Sequence, residues 1–125
     1  MRYTHESSLP EITDEMLTAS LAGTRPYTIV ILKAGPRFSP APNRDPEVAA
    51  TVWKHGKRNF ALLKAGLLRV VCPVADGTEV SGVGIFDAEP DEVDRILAAD
   101  PAVMAEILRY EIHPTRTFPN STLID

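Results

Sequence analysis

Two segments of the chain, YTIVIL (Tyr27–Leu32) and LLRVVCPV (Leu67–Val74), are strand-like in composition and apolar on both of the faces a strand presents. Side chains alternate across a strand, so a sheet wetted on one side reads apolar, polar, apolar, and these segments do not. The sheet they join must be covered on both sides. A chain of 125 residues holds one core and is too short for two ordinary ones. Helices of the chain can cover one face, and the same sheet of a second copy, related by a two-fold axis, is the simplest cover for the other. The expectation is a homodimer joined through the sheet face. A charge at whichever of Val30 and Val71 faces the partner should weaken it, because a desolvated unpaired charge costs several kcal/mol.

Punctuation along the chain orders the elements. ITDEMLTASLAG places Ile12, Met16, Leu17 and Leu21 at near-helical spacing, with Thr13 or Asp14 able to cap and Gly23 able to stop the helix. PYTIVILKAG is a first strand, and residues 35–46 form a proline-rich loop. Asp45 and Pro46 then supply an N-cap and a first helical residue. The helix they begin is expected to run from Asp45 to about Ala65, closed by Gly66, with Ala49, Val52, Trp53, Gly56, Phe60 and Leu63 as its buried stripe. LLRVVCPV, a turn at Asp76-Gly77 and VSGVGIFDA predict a hairpin. A second helix follows over Pro90–Ala99 with Val93, Ile96 and Leu97 inward, then an Asp100-Pro101 restart and a last strand, LRYEIHPTRTF. The order β-α-β-β-α-β predicts an α+β, ferredoxin-like fold: a four-stranded antiparallel sheet, order 4-1-3-2, with both helices on one face. Residues 1–25 read as an N-terminal extension with a short helix, 26–118 as the domain and 119–125 as a tail.

Composition narrows the function classes. With 44% hydrophobic and 24% charged residues and net charge -4, the chain has the profile of a globular protein and lacks the basic excess that phosphate backbones require, so no nucleic-acid partner is expected. The longest apolar run, Tyr27–Leu32, is far below the roughly 20 residues that span a bilayer, and the N-terminus lacks the apolar core of a secretion signal. No membrane partner and a cytoplasmic location are expected. Cys72 has no second cysteine to pair with and reads as a buried free thiol.

Few residues carry chemistry. On a helical wheel His55 stands about 100° from the centre of the expected stripe, with Asn59 one turn on. An imidazole there is either a core-edge residue without a role or a half-buried base with its tip toward a pocket. For Asp100, capping alone accounts for the residue, although a carboxylate at a cap keeps a second oxygen for a histidine. Asp76 is either a turn former alone or, at the turn after the second strand, a residue that also lines the pocket, and Ser81, at the start of the third strand, is a candidate hydroxyl donor. Arg37, Arg44, Lys54, Lys57 and Arg58 read as a solvated flank, with Arg37 and Arg44 alternatively partners for a carboxylated ligand beneath the proline loop. His5 and His113 read as surface residues, and without an HxH or HxxxH no metal site is expected. The Gly82-Val-Gly-Ile run opens no helix, and there is neither a P-loop nor a nucleophile elbow, so no cofactor is called for.

The helix HGKRNFALLKAGLL, the strand and proline turn VVCPVADG, and AADPAVMAEILRYEIHP before the last strand together resemble the YCII-related proteins of the dimeric α+β barrel superfamily. The resemblance covers Pro26 to Pro114; the first 25 residues and the proline loop depart from the shorter family pattern. It implies a dimer and a His-Asp pair, falling here on His55 and Asp100. The superfamily includes isomerases, dehalogenating lyases and monooxygenases acting on small cyclic or aromatic molecules. What it implies here is a cofactor-independent isomerase or lyase with His55 and Asp100 catalytic; the reading of the residues adds Asp76, Ser81 and Asn59 against the substrate. The alternative is a non-catalytic dimeric module that binds a small molecule or serves an accessory role.

Overall fold

The computed structural model describes residues 2–118, 121 and 123. Its elements in chain order are α1 (Asp14–Ser20), β1 (Pro26–Ala34), α2 (Pro46–Lys64), β2 (Leu68–Pro73), β3 (Val80–Phe86), α3 (Pro90–Ala98), α4 (Pro101–Met104) and β4 (Leu108–Arg116). Two of the helices start by one device. The Asp45 carboxylate accepts from the amides of Glu47 and Val48 at 2.9 and 3.3 Å, and the Asp100 carboxylate accepts from those of Ala102 and Val103 at 2.8 and 3.4 Å. In both, proline takes the first helical position, where its missing N–H costs nothing. Thr13 caps α1 through its hydroxyl oxygen, which accepts from the Met16 amide at 3.1 Å. Gly66, at φ 78°, turns the chain out of α2 in the left-handed conformation that glycine adopts freely.

The four strands form one antiparallel sheet in the order β2-β3-β1-β4, so β1 and β3 are central, as the element order requires. Val30 lies opposite Gly84 on one side and Ile112 on the other. On the face toward the helices, Val30, Leu32, Leu68, Phe86 and Leu108 are buried against Val93, Leu97, Ala102 and Ile107. Burial of each such side chain contributes about 1.5–3 kcal/mol. Thr28 is the buried polar exception on β1, and its hydroxyl donates to the Ala88 carbonyl at 2.7 Å. The β2–β3 connection is the six-residue loop 74–79, longer than a two-residue hairpin, with Gly77 at φ 81°.

Alternate residues on the other face, Ile29, Ile31, Val70, Val83 and Ile85, are only half-buried. At one margin Lys33 bonds to Glu111 and lies 3.4 Å from Glu79, which also accepts from Arg109 at 2.7 Å. The two-sided apolar reading of the strands therefore describes the chain. Val30 and Val71 both belong to the helix side, however, so Ile31 and Val83 are the positions on which a partner sheet would sit.

Three expectations are corrected. The stripe Ala49, Trp53, Gly56 and Phe60 of α2 faces solvent, with Trp53 70% and Phe60 60% exposed, while Val48 is the buried residue and Val52, His55, Asn59, Leu62 and Leu63 are half-buried. Helix α2 has two apolar stripes, and the one packed on the sheet is rotated toward His55. Cys72 is exposed, because β2 is an edge strand and Cys72 pairs with Val83 on the uncovered side. Helix α1 buries none of its residues. Strand β1 begins at Pro26, whereas the proposed tail 119–125, apart from 121 and 123, lies outside the described residues. Among the described residues no helix is long and apolar enough to cross a membrane.

Candidate active site

Helix α4 packs on α2, and that contact brings together two residues 45 positions apart. His55 Nδ1 lies 2.7 Å from Asp100 Oδ2, with the imidazole 12% exposed and the carboxylate 1% exposed. Oδ1 of the same carboxylate takes the two cap amides, so one oxygen starts α4 and the other holds His55. Capping and pairing coexist. Burial by itself would raise the Asp100 pKa, but the hydrogen bond from His55, its attraction and the two backbone amides outweigh burial and hold the carboxyl below its ordinary value. Behind the pair, Arg58 Nη1 is buried without a hydrogen-bond partner, 3.8 Å from Asp100 Oδ2. A cation there adds charge balance to an anion that would otherwise be costly to bury.

The ionised carboxylate accepts, so Nδ1 carries the proton it receives and a neutral ring has its lone pair on Nε2. Asn59, one turn on, places its Nδ2 amide 3.2 Å from Nε2 and donates to it. The three side chains make a chain Asp100–His55–Asn59, whose last link is the one a ligand can replace.

His55 and Asn59 open on a cavity of about 320 Å³ between α2 and the sheet, lined also by Leu32, Leu63, Val71 and Ser81. It is a predominantly apolar space with a few convergent polar groups, the usual character of a small-molecule site. Ser81 reaches it because a β-bulge between Leu32 and Lys33 shifts the register of β1 on β3.

Asp76 is not brought to this cavity. Its Oδ1 accepts from the Thr78 hydroxyl at 2.7 Å and the Thr78 amide at 3.1 Å, which hold its carboxyl below the ordinary range. It lines a separate cavity of about 430 Å³ beneath the proline loop, with Phe38, Pro40 and Arg44. Its turn-forming role is therefore the one the structure displays. Arg37 donates to the Ala105 carbonyl at 3.2 Å and Arg44 to the Ser39 carbonyl at 2.7 Å. His5 pairs with Ser7 and His113 with Glu111, both at the surface. Among the described residues no group of three His, Cys, Asp or Glu side chains could hold a metal ion. Sequence reading passed over Arg58, taken as solvated flank; only its place on the α4 side of α2, one turn below Leu62, distinguishes it from Lys54 and Lys57.

The sequence matches no protein-family model and no curated protein. Among solved structures it is similar to the 5-chloro-2-hydroxyhydroquinone dehydrochlorinase of Burkholderia phenoliruptrix in complex with 2,5-dihydroxybenzoquinone. That match has a TM-score of 0.45 and 16% identity, covering 70% of this chain and 90% of that one. A protein of unknown function from Rhodopseudomonas palustris matches with a TM-score of 0.36 and 11% identity, covering 90% of this chain and 97% of that one. The ferredoxin-like assignment rests on this chain's own element order and sheet topology.

Proposed function

We propose that the chain is a YCII-like, cofactor-independent isomerase or lyase that moves a proton on a small cyclic or aromatic molecule, with His55 as the base and Asp100 as its orienting partner. The observation that carries this reading is the 2.7 Å contact between His55 and a buried carboxylate at the edge of an apolar cavity. Asp100 fixes the ring and stabilises the imidazolium that forms when Nε2 takes a proton. A substrate hydroxyl or acidic C–H displaces the Asn59 amide from Nε2, and Asn59 then donates to a substrate oxygen. Ser81 offers a hydroxyl from the opposite wall. The apolar walls exclude water and accept a ring.

We further propose that two copies pair through the half-exposed sheet face around Ile31 and Val83, as the apolar surface there favours.

One observation favours the second reading, a binding module without turnover: the Asn59 amide already occupies Nε2. Hydrogen–deuterium exchange separates the two. In D2O, a panel of small cyclic ketones is followed by proton NMR for loss of the α-proton. The enzyme reading predicts exchange above buffer for at least one ketone, reduced roughly 10²–10⁴-fold in His55→Asn. Equal exchange in both proteins, or binding without exchange, would favour the module.

A further inference from the structure

Besides the open sheet face, two apolar surfaces among the described residues have no partner within the chain. One is the outer stripe of α2, where Ala49, Trp53, Gly56 and Phe60 line an open groove of about 720 Å³. At its centre nothing lies within 4 Å of the position a Gly56 Cβ would take, so the helix surface is dented there. The other surface is α1 with the residues beside it: Ile12, Met16, Leu17 and Leu21 are all exposed, and Ile12 is 62% so.

The two surfaces are complementary in charge. Arg44 and Lys57 border the groove, whereas the α1 segment carries Glu11, Asp14 and Glu15 and no lysine or arginine occurs between Tyr3 and Thr24. A helix that packs there sets its acidic first turn against basic side chains. Helix α1 does not occupy the groove of its own chain. Its link to β1 is the five residues Leu21–Arg25, of which Leu21–Gly23 are wound into a 3-10 turn, and Thr24 and Arg25 are tied to Arg116 and Thr117 at the end of β4.

We infer that the groove on α2 receives α1 of a second copy, in a reciprocal exchange of N-terminal arms. Two-fold symmetry satisfies both grooves and both arms at once. The exchange also bears on the site, because Val52, Gly56 and Phe60 line both the groove and the His55 cavity. An arm lying over them becomes part of the cavity's rim, and each cavity is then closed by the other copy. The inference is independent of the chemistry at His55, and its residues are distinct from those of the sheet face.

The test uses Trp53, the single tryptophan of the chain, which stands in the groove. In the wild-type chain, its emission should lie at shorter wavelength, and its quenching by acrylamide should be severalfold weaker, than in the double variant Met16→Glu, Leu17→Glu. Those two positions are exposed, so the variant keeps its fold. A Trp53→Phe chain with an intact arm, added in excess to the double variant, should restore the short-wavelength emission, because only an arm from another copy can supply the cover. Identical emission and quenching in the wild type and the double variant would overturn the inference. Protection in the wild type without restoration on mixing would also overturn it, assigning the groove to the chain's own arm. The sheet-face proposal is tested separately at Ile31, so failure of one pairing is distinguishable from failure of the other.

Discussion

At the scale of single residues, Asp100 does two jobs with two oxygens, and substitution can separate them. Asparagine caps a helix about as well as aspartate, so Asp100→Asn should keep α4 while removing the charge that steadies a protonated His55. Asp100→Ala loses both and should cost about 2–4 kcal/mol in chemical denaturation, the sum of a cap and a charge-assisted hydrogen bond. The acid limb of stability carries the same signature. Because the folded-state pKa of Asp100 is depressed below its ordinary 3.8, its contribution is fully present above that value and is lost as pH falls through the lower, folded value. Denaturation midpoints followed from near-neutral pH downward should decline less steeply for Asp100→Asn than for the wild type. The cap at Asp100 was legible from the Asp-Pro step alone. Its second bond, to His55, was not, since spacing holds no record of a contact 45 residues away, and only the family resemblance joined the two.

At the scale of elements, the β-α-β-β-α-β order and both Asp-Pro helix starts could be read because local signals and the global fold agree there. The buried face of α2 could not. Periodicity finds an apolar stripe and is silent on which surface it meets, and in α2 the more conspicuous stripe, with Trp53 and Phe60, faces outward. Asp76 illustrates a similar limit, since a turn residue after β2 lies near the His55 cavity in sequence but points into the proline-loop cavity in space. The turn between α4 and β4 passes close to the end of β1. A Cβ on Gly35 would stand 2.4 Å from the Glu106 carbonyl oxygen, a backbone atom that cannot swing aside. Gly35→Ala should therefore destabilise the fold by about 1–3 kcal/mol, checked by urea denaturation. Unchanged stability would mean that the β1 and β4 ends are looser than this contact requires.

For the whole molecule, the sheet separates two kinds of surface: a helix-covered side that holds the core and the His55 cavity, and an open apolar side suited to a second copy. Ile31→Glu puts a charge in the middle of the open side without touching the core. Sedimentation velocity should give a dimer for the wild type and a shift toward monomer for this variant, which should still fold. A 13.7 kDa monomer for the wild type at micromolar concentration would contradict the pairing. On the covered side, the packing of α4 on α2 brings a buried carboxylate to the Nδ1 edge of an imidazole and leaves Nε2 toward the cavity. That placement of a lone pair is what the proposed chemistry needs, and long-range ¹H–¹⁵N correlation NMR of the His55 ring reads it without any substrate. With the ring neutral, the proton is predicted on Nδ1 in the wild type, and Asp100→Asn should weaken that preference. A wild-type ring protonated on Nε2, or averaged equally between the two nitrogens, would contradict the claim that Asp100 holds His55 as a base facing the cavity.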